Sequence, residues 1–239
     1  MRDLLEGASV ELHYCQADID HNRTVTAFSG QAGQVLGALD GLCQLVMPSV
    51  NLQRHTGVHP RIGALDVLPF VALPGGLPEH ELVLLSRGVA SWLSETFEVP
   101  VFLYDKSATK PHADLPHFRK GGFGGMLGRE LEPDFGPTAV HPHMGATVVG
   151  VRDFLVALNV NFRGSNLAVV ETIAAHVRER RKARVPGWSG VRALGLPLAA
   201  QEMVQVSLNI TKPDQTPIDP IVEWITGQAV GQGLELTYV

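Results

Sequence analysis

The chain has 239 residues, 45% hydrophobic and 18% charged, with a formal net charge of -5, a balance that excludes intrinsic disorder and argues against nucleic-acid partners. That length accommodates one large domain or two small ones. Cys15 and Cys43 are too few for a disulfide framework, and with no apolar run near the roughly 20 residues of a bilayer span and no signal stretch in residues 1–7, the expectation is a cytoplasmic protein without a membrane partner.

In chain order, residues 10–15 and 24–28 read as neighbouring strands. Residues 31–45 read as a helix with Val35, Leu36, Leu39, Leu42 and Leu45 inward. A strand over 65–73, a long amphipathic helix over 79–96 and a strand over 99–104 follow. From 105 to 142 the pattern dissolves into Gly, Pro and His, and a long irregular segment in a compact domain is usually functional or mobile. Within it, Lys-Gly-Gly-Phe-Gly-Gly (120–125) has no Gly-Lys-Ser/Thr after it, so it predicts a hinge or flexible crossing and not a phosphate loop.

The last third is more regular. Phe154, Val156, Leu158, Val160 and Phe162 alternate on one strand face, with Asn159 and Asn161 on the other. Ser165 is placed to cap a helix whose stripe is Leu167, Val170, Ile173 or Ala174, and Val177. The cations Arg178, Arg180, Arg181, Lys182 and Arg184 suit a solvated helix C-terminus, or else a landing site for an anionic tail. Strands over 191–198 and 203–210 come next. Asp219 and Pro220 then form an N-cap and N1 pair for a helix carrying Ile221, Trp224, Ile225 and Ala229, and 234–239 is a last strand. The order β-α-β-β-α-β is the split ferredoxin-like arrangement. The fold class expected is α+β, with two ferredoxin-like-type α/β sandwich subdomains over residues 1–153 and 154–239.

Three clusters carry chemistry. His-Thr-Gly-Val-His-Pro-Arg-Ile-Gly-Ala (55–64) sets two imidazoles and a guanidinium in a Gly/Pro-rich loop, a mixture suited to proton transfer beside an anion. The i, i+4 spacing of His55 and His59 also matches a helical zinc pair. Gly57 and Pro60 disfavour that helix, and no Glu adjoins either His. Asp-His-Asn-Arg-Thr (20–24) reads by itself as a turn. Residues 134–145 include Asp-Phe-Gly without the other kinase motifs; this loop can present backbone groups to a planar heterocycle.

Together these clusters resemble the formiminotransferase domain family. The likeness runs through Asp-His-Asn-Arg-Thr-Val (20–25), residues 55–67, Pro-Val-Phe-Leu-Tyr (100–104), Pro-Asp-Phe-Gly-Pro (133–137), residues 145–161 and Gln-Val-Ser-Leu-Asn (205–209). The resemblance implies transfer of the formimino group of N-formimino-L-glutamate to the co-substrate tetrahydrofolate in histidine degradation, with a homodimer, no metal and a ligand groove between two subdomains. It makes His59 the catalytic residue. Asn22, Arg23, His55 and Arg61 become substrate-binding, and Gly136, Pro137, Thr138, Ala139, Val140, His141, Pro142, His143, Met144 and Gly145 the folate loop. Two departures stand beside it: the family's opening Asn-Phe-Ser-Glu-Gly segment has no counterpart, and Gln16 replaces an acidic or His position. The alternatives are a catalytically impaired folate-binding or interaction protein of the same fold, or a 5-formyltetrahydrofolate:glutamate formyltransferase.

Overall fold

A computed structural model describes residues 1–111 and 115–239. By internal contacts these fall into two units, Met1–Asp18 with Asn22–Arg152, and Ile19–His21 with Asp153–Val239.

The first unit opens with a short helix, α1 (Arg2–Glu6), whose Leu5 is buried. Strands β1 (Glu11–Asp18) and β2 (Arg23–Ser29) then pair antiparallel, with one register shift between Leu12 and Tyr14. Helix α2 (Ala32–Ser49) buries Ala38, Leu39, Leu42, Cys43 and Met47. Leu36 and Leu45, expected inward, are 36% and 42% exposed. The buried stripe runs 39, 42, 43, 47, and those two leucines fall on its flanks.

Strand β3 (Val67–Phe70), helix α3 (Glu79–Phe97), strand β4 (Val101–Leu103), helix α4 (Leu115–Phe118) and strand β5 (Thr147–Val151) complete the unit. The strands form a parallel sheet in the order β3-β5-β4. All five residues of the central β5 are buried, as a strand covered on both faces requires. Leu82, Val89, Ala90 and Leu93 of α3 join Leu39 and Met47 of α2 in one core with Val149 and Val151.

In the second unit, β6 (Val156–Arg163), α5 (Leu167–Lys182), β7 (Val191–Leu198), β8 (Met203–Ile210), α6 (Ile218–Val230) and β9 (Glu235–Tyr238) follow the expected β-α-β-β-α-β order. The sheet is antiparallel, ordered β7-β8-β6-β9. Val160, Phe162, Val204, Val206 and Leu208 meet Val170, Ile173 and Val177 of α5 and Ile221 and Ile225 of α6. Gly195 lets α5 approach β7: a Cβ there would lie 2.5 Å from Glu171 N.

Two helix starts differ from expectation. The N-cap of α5 is Asn166, without a side-chain cap bond, and Ser165 contributes its carbonyl to Leu167 N at 2.8 Å. Helix α6 begins after Pro217, so Asp219 and Pro220 lie inside its first turn, where a missing N–H is harmless and a carboxylate favourable. The basic run is not a uniformly solvated end. Arg178 donates to Ala193 O at 3.0 Å, and the Arg180 guanidinium lies 5.0 Å from the Trp188 ring and 4.4 Å from the Trp224 ring. Those two rings meet edge to face at 5.3 Å.

Phe162, fully buried in the second core, is the side chain whose loss should be felt most. Phe162→Ala is expected to lower the unfolding free energy by about 3–5 kcal/mol, read from urea denaturation.

Candidate active site

Residues 55–64 have irregular backbone, and their position is imposed by neighbours. Asp66, just before β3, turns its carboxylate back on the loop. Its Oδ1 accepts from Ile62 N at 2.7 Å and Gly63 N at 3.3 Å, and Oδ2 pairs with Arg119 Nη2. Arg61 lays its guanidinium across the loop's own carbonyls. Nη2 donates to His55 O at 2.5 Å, and Nη1 to Gly57 O at 2.9 Å and His59 O at 3.5 Å. Arg61 therefore closes the loop on itself, and its terminal nitrogens already have acceptors.

Residues 136–146 flank the loop on one side. Ala64 N donates to Met144 O at 2.8 Å, Ala146 N to Ile62 O at 2.9 Å and Leu52 N to His143 O at 2.9 Å. Gly63 and Gly145 oppose each other in a bridge. A Cβ on Gly63 would sit 2.0 Å from Ala146 O, and one on Gly145 2.0 Å from Ile62 O, where φ is +75°. Only glycine allows both backbones so close. Phe123 N donates to Arg61 O at 2.9 Å. The glycine-rich segment expected to be a hinge is thus a run of turns bonded to the histidine loop, with positive φ at Gly121 and Gly122.

The histidines differ in tautomer. His59 Nδ1 lies 2.8 Å from Pro60 O; a carbonyl only accepts, so Nδ1 carries the proton and Nε2 of the neutral ring is the basic nitrogen. His55 Nε2 lies 2.6 Å from Asn22 O and donates to it. Burial lowers the His55 pKa; the bond to Asn22 opposes this and the Arg61 charge adds to it. Asn22 has φ +45°, and its Nδ2 reaches Thr56 O at 3.4 Å. His55 and Asn22 therefore buttress the loop from the β1–β2 turn.

Within the 136–145 loop, His141 Nδ1 accepts from Met144 N at 2.9 Å and His143 N at 3.2 Å, which places its proton on Nε2. Burial lowers its pKa, and the neighbouring His143 adds to that against Glu98. His143 Nδ1 lies 3.3 Å from Asn51 Oδ1, and Thr138 O accepts from Leu131 N at 2.6 Å. Gly136, Pro137, Ala139, Val140, His141 and Pro142 face the C-terminal half of α3 across a cavity of about 650 Å³.

Composition made His55, His59 and Arg61 visible. It did not single out Asp66 and Arg119, which fix the loop's shape. Asp66 interrupts an otherwise apolar stretch entering β3, and that was the available signal. Arg119 is 53 residues distant in sequence, and nothing local marks it.

Two family descriptions match the chain in order: the formiminotransferase domain, N-terminal subdomain, over residues 2–152, and the formiminotransferase domain over residues 157–238. The chain belongs to the formiminotransferase domain family. A glutamate formimidoyltransferase of Streptococcus pyogenes is 33% identical to it, covering 92% of this chain and 74% of the relative. One from Thermoplasma acidophilum is 32% identical over 95% of this chain and 75% of its own length. A formimidoyltransferase-cyclodeaminase of Gallus gallus is 36% identical over 84% of this chain and 38% of its own length.

Among the described residues of this formiminotransferase domain, no group of three or more His, Cys, Asp or Glu side chains is arranged around a metal-sized point. Likewise, no described helix is long and apolar enough to cross a membrane.

Two outcomes follow from the loop geometry. Asp66→Ala removes the acceptor of two backbone N–H groups, so hydrogen exchange at Ile62 and Gly63 is expected to accelerate by about 10-fold or more. His55 has a folded-state pKa below its ordinary 6.5, so the unfolded chain binds its proton first as pH falls. The stabilisation is complete above about 6.5 and is lost as pH drops through the folded value. His55→Gln is expected to flatten that part of the stability profile, measured by urea titration at pH 5 to 7.5.

Proposed function

We propose that this protein transfers the formimino group of N-formimino-L-glutamate to tetrahydrofolate, giving 5-formiminotetrahydrofolate and L-glutamate. The relatives named above support the reaction. The observation that carries the mechanism is the His59–Pro60 contact, because a carbonyl only accepts and the neutral ring's proton therefore sits on Nδ1, making Nε2 the basic nitrogen.

The transfer needs one proton removed from the attacking folate nitrogen and one delivered to the departing amine. His59 Nε2 takes the first as the new bond to the amidine carbon forms. It returns that proton to the glutamate nitrogen as the old C–N bond breaks. One imidazole thus serves both halves of the reaction with no net proton change. The loop of residues 136–145 is the folate-binding element in this reading. Its support is a cavity of about 650 Å³ lined in part by Gly136, Pro137 and His141, whose Nε2–H is a donor.

Asn22, His55 and Arg61 act on substrate indirectly here, by shaping the loop that carries His59. Arg23, at the start of β2, is the remaining member of the substrate-binding set, and a guanidinium is suited to pairing with a substrate carboxylate. In this reading the protein works in histidine degradation as a cytoplasmic homodimer.

His59→Asn is expected to lower kcat by about 10²–10⁴-fold while leaving the circular dichroism spectrum and Tm unchanged. The assay follows 5-formiminotetrahydrofolate formation from formiminoglutamate. Full activity in the variant rules His59 out, and turnover with 5-formyltetrahydrofolate and glutamate in place of these substrates redirects the reading to formyl transfer.

A further inference from the structure

Two peptide units of the turn at 141–145 are each bonded at both ends. The 143–144 unit donates from Met144 N to His141 Nδ1 at 2.9 Å, and its carbonyl, His143 O, accepts from Leu52 N at 2.9 Å. The 144–145 unit donates from Gly145 N to His141 O at 3.0 Å, and its carbonyl, Met144 O, accepts from Ala64 N at 2.8 Å. Leu52 opens the short turn Leu52–Arg54 that leads into His55, and Ala64 closes the histidine loop beyond Arg61. Both ends of the segment that carries His59 therefore hang on one turn. His141 holds that turn twice, through its ring and through its carbonyl.

An imidazole makes this hold conditional. Nδ1 also accepts from His143 N at 3.2 Å, and only the neutral ring has the lone pair to do so. An Asn side chain bonds nearby backbone N–H groups in turns without titrating. His141 is half-buried. Burial first, and the His143 ring second, hold its pKa below the ordinary 6.5, against the attraction of Glu98. The titratable groups around it are His143 of its own loop, 6.1 Å away between ring centroids, and Glu95 and Glu98 of α3, which line the same cavity. On the opposing segment, Asn51 meets His143 and is neutral.

We propose that His141 is a positioning residue for the transfer: its neutral Nδ1 fixes the turn from which Leu52 and Ala64 suspend the loop presenting His59, and a proton on that nitrogen releases the turn. This rests on the transferase reading above. Because the folded-state pKa is lowered, the hold is complete above about 6.5 and is lost as pH falls through the folded value.

Two variants separate the roles of the ring. His141→Ala removes the acceptor, whereas His141→Asn puts an amide oxygen where Nδ1 was and does not titrate. Amide hydrogen exchange of the full chain is read at Leu52, Ala64 and Met144 from about pH 5 to 7.5, relative to unstructured peptide and with the β5 amides as internal reference. Protection of the three in the wild type is expected to fall by about 10-fold or more towards the acid end, with β5 unaffected. His141→Ala is expected to show the low value throughout, and His141→Asn the high one. In the transfer assay both variants lack the Nε2–H, so a rise in KM for tetrahydrofolate is shared. A fall in kcat of about 10-fold or more is expected in His141→Ala, most of it recovered in His141→Asn.

Equal kcat in the two variants, or full protection of Leu52 and Ala64 in a folded His141→Ala, overturns the positioning role. If His141→Ala does not fold, protection that falls with pH in His141→Asn as it does in the wild type overturns it as well. If the wild type transfers nothing, the functional reading fails, and the exchange profiles alone decide whether His141 holds the loop.

Discussion

The carboxylate of Asp66 is the point on which the candidate site depends. One oxygen gathers two consecutive backbone N–H groups and the other holds a guanidinium, so a single side chain fixes the turn after Arg61 and ties it to the 119–125 segment. Without it, three donors lose their acceptor in a half-buried setting, at a cost of about 1–3 kcal/mol each. The loop has no regular hydrogen-bond ladder of its own to fall back on. Its geometry is borrowed from the sheet through the residue that enters β3.

The glycine pair Gly63 and Gly145 complements this. Irregular backbone can stay rigid if it is packed against other backbone and not against side chains that hop between rotamers. The close approach at that pair brings carbonyl and amide groups of two loops into mutual pairing, and most of the polar groups the loops bring to the site are then already oriented. Such preorganisation is what proton transfer by one imidazole requires, since the tautomer of His59 is set by a carbonyl in the same loop.

Legibility in the sequence tracked the range of the forces involved. Strands β7 and β8 were readable to the residue because Val204, Val206, Leu208 and Ile210 alternate against polar neighbours, and a one-residue slip would expose them all. Strands β3 and β4 proved shorter than their apolar runs, because residues 62–66 and 104 are drawn into loop and turn contacts. Leu36 and Leu45 satisfied a helical period yet lie off the buried stripe of α2, which depends on how that helix is rotated against α3. His55, His59 and Arg61 announced themselves by residue type. Their division of labour did not, because it depends on which nitrogen meets which carbonyl, and the partners Asn22 and Arg119 come from elsewhere in the chain.

The aromatic pair in the second unit has a consequence of a different kind. Of the three tryptophans in the chain, Trp92 sits in α3 against Phe97, whereas Trp188 and Trp224 stand nearly perpendicular beside Arg180. Two indoles at that separation couple their electronic transitions, and a nearby cation shifts their emission. The second unit thus carries its own optical signature, distinct from the lone indole of the first. Unfolding of the two halves can be followed separately in the unmodified protein, without labels.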